Sequence, residues 1–188
     1  MVDSLNEAKN STFWDKIGVV IFGKKAPDAM TKVSFYLSLT LWLMFFTWSL
    51  LSFGAIYFRE TIQNEKQIPV SDMINERGLE LGFDSGDFID RLLVFHSIGI
   101  IAWILVLIGI IMIWRQFSNY VYFFFGGTTL YFLTMIFYLN LDYYLEDTTF
   151  FDKIAFIALN LIGVINTLLL KSSKSENPKG LFDENLQD

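Results

Sequence analysis

Residues 92–114 read LLVFHSIGIIAWILVLIGIIMIW, a run with no Asp, Glu, Lys or Arg between Arg91 and Arg115. An α-helix rises about 1.5 Å per residue, so this run is long enough to cross the roughly 30 Å hydrocarbon core of a bilayer. Apolar side chains surround nearly the whole helix, which is typical of a helix that lies among lipids and other helices. The run therefore predicts a membrane-spanning helix.

Three further stretches meet the same test of length and hydrophobicity: Val33–Phe58, Tyr120–Leu141 and Ile154–Leu170. The composition agrees, because 53% of the residues are hydrophobic and only 18% are charged, against about 25% charged residues in soluble domains. A membrane β-barrel needs apolar residues at every second position, and the sequence lacks that pattern. It therefore predicts an all-α, polytopic integral membrane protein, built as a four-transmembrane-helix bundle.

The segments outside the spans define the expected domain organisation. The membrane domain covers residues 33–170, and residues 59–91 within it form an extracytoplasmic loop. Residues 1–32 form a cytoplasmic N-terminal tail, and residues 171–188 form a flexible cytoplasmic tail. Segment 12–23 is amphipathic but too short to span a bilayer. It either lies in the membrane interface as an anchor or packs against the bundle.

The long loop is expected to contain a short helix. Ser71 follows Pro69 and is a residue type that caps helix N-termini, so the helix is expected from Asp72 to Arg77. Gly78 is expected to end it, because glycine often follows the last residue of a helix. A loop of this length is more often functional than a simple connection.

Lys and Arg residues set the expected orientation, because cytoplasmic flanks carry more of them than the opposite flanks do. Nine lie in the two tails and in the link between the second and third spans. Five lie in the long loop and in the link between the last two spans, together with twelve acidic residues. We therefore expect both termini in the cytoplasm.

The composition also excludes several kinds of chemistry. Cysteine is absent and His96 is the single histidine, so the chain alone offers no thiolate site and no multi-histidine metal site. The net charge of −6 disfavours a nucleic-acid partner. Metalloprotease, nucleophile-elbow and phosphate-loop motifs are absent from the sequence. We expect no metal, no cofactor and no enzymatic activity.

The fourth span carries a polar face that is a candidate site. Asn160, Gly163, Asn166 and Thr167 follow helical spacing and share one side of the helix. One interpretation is an interhelical face, where the small glycine lets helices approach and the amides bond across the contact. The other interpretation is a polar path or a ligand site.

A second candidate site is a polar cluster in the outer leaflet, formed by His96, Asn140 and Asp142. His96 lies about one turn inside the second span, and the other two residues lie near the outer end of the third. Since histidine titrates near neutral pH, the cluster is either sensitive to protons or cations, or a hydrogen-bonded histidine that anchors its helix.

These features favour a non-enzymatic structural or accessory subunit of a larger complex in a bacterial inner membrane, acting through helix and loop contacts. Its expected partners are the lipid bilayer and either other membrane-protein subunits or further copies of itself. One alternative is an oligomeric ion channel lined by Asn160, Asn166 and Thr167. Another is the membrane anchor of a respiratory enzyme, with a quinone site near His96.

Overall fold

The structure, a computed structural model, describes residues 27–176, with side chains described as far as residue 170. This part of the chain folds into six helices and contains no strand. The predicted segment 12–23 lies outside the described residues. In chain order the helices are α1 Ala29–Tyr57, α2 Arg59–Lys66, α3 Val70–Glu80, α4 Asp87–Trp114, α5 Tyr120–Glu146 and α6 Phe150–Glu176.

Four of these helices, α1, α4, α5 and α6, are long and apolar enough to cross a membrane, which confirms the predicted number of spans. Each helix is longer than its predicted apolar core. For example, α4 begins at Asp87 rather than Leu92, because Asp87 and Asp90 lie in its first turn, where the helix dipole favours negative charge. Its 28 residues measure about 42 Å, more than the roughly 30 Å of bilayer hydrocarbon.

The four long helices pack as a ring. α4 contacts both α1 and α5, and α6 closes the ring by contacting α1 and α5. Neighbouring helices run in opposite directions along the chain. The short helices α2 and α3 lie at one end, which we call the loop end; it holds the last turns of α1 and α5 and the first turns of α4 and α6. Of the four long helices, α4 is the most buried.

Two clusters of buried side chains fill this ring. Because lipid tails are as apolar as leucine, close packing rather than escape from water holds such clusters together in a bilayer. The larger cluster contains Phe35, Trp42, Phe45, Trp103, Val106, Ile110, Ile113, Tyr120, Phe124, Ala155 and Leu159. The second lies at the loop end and contains Ile56, Leu81, Phe88, Ile89, Leu92, Phe95, Met135 and Leu139.

Two tryptophans join α1 to α4. The indole N–H of Trp42 donates a hydrogen bond of 2.7 Å to the carbonyl oxygen of Trp103. The Trp103 ring stacks on Phe45 with ring centroids 5.0 Å apart, and it also contacts Tyr131. Both tryptophans lie between helices. Trp48, in contrast, projects from another face of α1 and is 66% exposed.

The closest helix contact is between α4 and α5, and two glycines permit it. A Cβ atom on Gly109 would lie 2.7 Å from the backbone nitrogen of Phe124, and one on Gly127 would lie 2.6 Å from the carbonyl oxygen of Ala102. Neither distance is tolerable for carbon, and backbone atoms cannot turn aside as a side chain can. The two backbones therefore approach to a distance that only glycine allows.

The loop-end turn between α3 and α4 differs from the prediction. α3 continues through Gly78 to Glu80, because Gly78 is the place where Phe88 packs; a Cβ atom there would lie 2.5 Å from the Cβ of Phe88. The last helical residue is Glu80. Gly82, two residues later, has a φ of +83° that favours glycine and turns the chain out of the helix. The N–H of Phe83 bonds to the Gly78 carbonyl oxygen and completes the cap. Ser71 is not the cap but lies inside the helix, and Pro69 is the residue before the first helical residue, Val70.

The opposite end of the bundle is tied together by Asp28. Its carboxylate accepts hydrogen bonds from the backbone N–H and the hydroxyl of Thr31, and from the amide of Gln116 in the α4–α5 turn. The bonds from Thr31 lower the pKa of Asp28. A lowered pKa means that this cap stabilises the fold at neutral pH, and that its contribution is lost as the pH falls through the lowered value.

Adjacent glycines of α5 test the importance of the α4–α5 contact. Gly127→Ala should destabilise the bundle by roughly 1–3 kcal/mol, because the new methyl group overlaps the α4 backbone. Gly126→Ala is the matched control, since a Cβ atom there meets nothing within 4 Å and alanine favours helix. The measurement is the thermal unfolding midpoint of each variant in detergent. Equal midpoints for the two variants would contradict the proposed backbone contact.

Candidate functional site

The polar face of α6 turns inward, against α5. The Tyr120 hydroxyl donates a 2.7 Å hydrogen bond to the Gly163 carbonyl oxygen and lies 2.8 Å from the hydroxyl of Thr167. Eight residues further along α5, about two helical turns, the Thr128 hydroxyl donates to the side-chain oxygen of Asn160 over 3.0 Å. Both residues of α5 that make these contacts lie on one side of that helix. The polar groups of α6 thus find partners within the same chain.

The remaining members of this face fit tightly. Asn166 is 2% exposed, and its side-chain N–H donates to the carbonyl oxygen of Ile162 one turn earlier. Gly163 lies beneath two aromatic rings, since a Cβ atom there would be 2.7 Å from Phe124 and 2.9 Å from Phe125. The structure brings Asn160, Gly163, Asn166 and Thr167 together on one buried contact surface. Tyr120, which the sequence reading left unassigned, is the aromatic anchor of that surface.

The residues of the second candidate site have separate surroundings. Asp142 is exposed and contacts no other member of the cluster. Asn140 interrupts α5, with a φ of +63° and a ψ of 176°. That conformation costs about 1–3 kcal/mol for a residue other than glycine. The Asn140 side chain compensates by accepting a bond from the Tyr143 N–H and donating one to the Leu81 carbonyl oxygen.

His96 is the member of the cluster that lies in a cavity. A cavity of about 160 Å³ opens at the loop end among α1, α4, α5 and α6. A second hollow lies beside it, between α1 and α3, and the two share Trp48, His96, Tyr143 and Asp147. His96 is 4% exposed, and its Nδ1 atom has no hydrogen-bond partner among the described residues. The side chains that line the first cavity, which we call the loop-end cavity, are mostly aromatic: Phe45, Trp48, Phe95, Tyr131, Phe132, Tyr143, Tyr144 and Phe156.

The break at Asn140 shapes this cavity. Because α5 restarts after Asn140, its last turn places Tyr143 and Tyr144 in the cavity wall and Asp147 at the rim. Aromatic residues near the end of a span usually indicate the membrane interface. From the sequence alone, these tyrosines therefore indicate a membrane boundary and give no sign of the cavity.

An ion-pair cluster closes the rim on the α3 side. Arg77 of α3 bonds to Asp147 at 2.6 Å, to Glu146 at 3.2 Å and to Glu80 at 2.6 Å. The hydrogen bonds that the Arg77 guanidinium donates to Asp147 and Glu80 raise the pKa of Arg77 above its ordinary value. Its charge, and with it this link between α3 and α5, persists through neutral and alkaline solutions. Among the described residues, no group of three or more acidic or histidine side chains is placed to hold a metal ion.

Removing the Arg77 charge should loosen α3. In Arg77→Gln, backbone amides of Val70–Glu80 should exchange with solvent deuterium faster, because α3 loses its polar link to α5. Amides in the middle of α4 should exchange at the wild-type rate. Lys66→Gln is the matched control, because it removes a positive charge from the same loop at an exposed residue that makes no ion pair within the described part of the chain. Unchanged exchange in α3 of Arg77→Gln would show that the ion pairs do not hold it.

Comparison of this chain with protein-family models, with curated proteins and with solved structures finds no match. The features of the chain that indicate its function are therefore the buried face of α6, the loop-end cavity and the exposed apolar helix surfaces.

Proposed function

We propose that this chain is a non-enzymatic accessory subunit of a larger protein complex in a bacterial inner membrane, with both termini in the cytoplasm. It acts by holding apolar helix faces and the α2–α3 loop against other subunits. The observation that carries the proposal is the position of the α6 polar face. Its side chains bond within their own chain, which leaves apolar surfaces for contacts with lipid and partners.

The exposed surface supports this role. In the most apolar 18-residue stretch of α1, only 22% of the residues are buried inside the bundle. The corresponding stretch of α6 is buried to the same extent. The side chains that project from the long helices are large and apolar along their whole length. Phe137 of α5 is 78% exposed, and so is Phe150 at the start of α6. Membrane subunits associate through such faces by close packing and need few polar groups to do so.

The channel alternative requires a different use of α6. A pore formed by several copies would need Asn160, Asn166 and Thr167 to face a water-filled axis. In this chain Asn166 is buried, and Asn160 and Thr167 bond to their own helix and lie against α5. Exposing them would require α6 to separate from Tyr120 and Thr128. The geometry therefore favours the accessory-subunit proposal over conduction.

Photo-crosslinking tests the proposed partner contact. We expect a photoreactive phenylalanine analogue at Phe137 to join the chain to one membrane protein in native membranes. The same analogue at Phe124, which is buried, should give only crosslinks within the chain. The joined protein should also co-purify with the untreated wild-type chain in a fixed ratio in a mild detergent. Crosslinks to many unrelated proteins, without stoichiometric co-purification, would argue against a specific complex.

Ion flux separates the two proposals directly. Wild-type chain in liposomes should pass no more Na⁺, K⁺ or Cl⁻ than empty liposomes do. Asn166→Leu should lower stability modestly, by about 1 kcal/mol or less, since one intramembrane hydrogen bond is removed. Leu161→Ala, on the exposed side of the same helix, is the stability control. Wild-type flux that Asn166→Leu abolishes without disassembly would favour the channel, because a leucine ring in a pore excludes water.

A further inference from the structure

The loop-end cavity contains a buried base that no described side chain satisfies. His96 is 4% exposed, and its Nδ1 atom is enclosed without a hydrogen-bond partner. A polar atom left unpaired in an apolar site is costly, so such atoms normally have a partner. His96 as a residue lines an open cavity rather than a packed core. A molecule that enters this cavity can therefore reach the imidazole.

The cavity walls indicate the shape of that molecule. Phe95 lies beside the imidazole, with ring centroids 4.8 Å apart, and Tyr131 follows at 5.2 Å from Phe95. Phe132 and Phe156 stack on each other across the other side. Flat aromatic walls favour a flat ring, since offset and edge contacts between rings are more favourable than contacts with a flexible chain. The volume of about 160 Å³ resembles cavities of about 150 Å³ that accept one benzene ring.

The position of the cavity indicates how a ligand reaches it. Trp48 lies nine residues from the end of α1, and His96 lies nine residues from the start of α4. Both are therefore about 14 Å from the loop end, at a depth within the apolar part of the helices. Trp48 lines the cavity and is 66% exposed on the outer surface of the bundle. A ligand that passes Trp48 comes from the lipid phase.

The charges that line the cavity disfavour the main competing ligands. Asp147 and Asp152 carry two negative charges there against one positive charge, that of Lys153, which donates to the Leu145 carbonyl oxygen. A phospholipid phosphate would therefore meet more negative than positive charge. An ammonium ion would have to leave water and lie about 14 Å deep among aromatic side chains. A neutral ring with a hydrogen-bonding oxygen has neither difficulty.

We propose that the loop-end cavity binds the head ring of a membrane-soluble quinone or quinol, with a ring oxygen hydrogen-bonded to His96. The hydrocarbon tail passes Trp48 into the bilayer. The aromatic walls hold the ring, and the Arg77 ion pairs keep α3 over the adjacent hollow. This inference goes beyond the accessory-subunit proposal, because binding needs the folded bundle but no partner subunit.

The single histidine makes the test direct. The full chain, purified with a histidine-free tag and reconstituted in lipid nanodiscs, is labelled with ¹⁵N only at histidine, so that every imidazole signal comes from His96. We expect a decyl-substituted benzoquinone or naphthoquinone to shift the two imidazole nitrogen signals in a saturable way. Nanodiscs of phosphatidylglycerol without quinone, and added choline, should leave those signals in place.

Paired variants tie the shift to the cavity. Met135→Phe narrows the cavity while it keeps His96, so it should weaken quinone binding at least about tenfold, which is about 1.4 kcal/mol. Leu133→Phe, on the exposed side of α5, should bind like the wild type. His96→Leu, followed by quenching of tryptophan fluorescence, should also bind at least tenfold more weakly. Trp48→Ala is a second cavity variant, and it should likewise weaken quinone binding. Because the Trp48 side chain is exposed, its removal should not disturb the core.

Three results would overturn the proposal. The first is the absence of any saturable shift with either quinone in folded wild-type chain. The second is a shift that Met135→Phe and Leu133→Phe affect equally. The third is a shift caused by phosphatidylglycerol or choline instead of quinone, which would assign the cavity to a lipid headgroup or a cation. Since all arms use the isolated chain, they stand apart from the crosslinking test of the partner complex.

Discussion

The approach of the α4 and α5 backbones is the constraint on which the rest of the bundle depends. Gly109 lies against the backbone of Phe124, and Gly127 lies against the carbonyl oxygen of Ala102. This contact brings Trp103 within reach of both the Trp42 indole N–H and the Tyr131 ring. α1 thus packs on one side of α4 because α5 is held tightly on the other. In lipid, such close packing replaces the hydrophobic effect as the main source of stability.

The same constraint decides where the polar groups of α6 lie. Because α5 is fixed by its glycines, Tyr120 and Thr128 present hydroxyl groups to the fourth helix at two levels. Asn160 and Thr167 meet those hydroxyl groups, and Gly163 leaves room for the Phe124 ring between them. Each polar side chain in this interface has a hydrogen-bond partner, and leaving such a group without a partner is costly in an apolar environment. Such a satisfied interface suits a static subunit better than a pore wall.

The sequence predicted the four spans well, because length and hydrophobicity are properties of each segment alone. It also placed Asn160, Gly163, Asn166 and Thr167 on one face, since helical spacing determines that. It did not find the end of α3, because Gly78 has two possible roles and only its contact with Phe88 decides between them. Similarly, the break at Asn140 has no local signal, since it depends on the Leu81 carbonyl oxygen from a distant turn. The cavity itself depends on four helices at once, so no single segment could indicate it.

Two unusual features of the bundle lie toward its loop end: the backbone conformation of Asn140 and, among the described residues, the unpaired Nδ1 atom of His96. Asn140 adopts a backbone conformation that is unfavourable for an asparagine, and its side chain bonds to the Tyr143 N–H and to the Leu81 carbonyl oxygen. The turn that follows carries Tyr143 and Tyr144 into the cavity wall and Asp147 to Arg77. His96, on the neighbouring helix, is the buried base left without a partner among the described residues. A bundle built only for stability would have filled the space beside His96 with apolar side chains, so a ligand in the loop-end cavity explains the unpaired imidazole better than packing alone does.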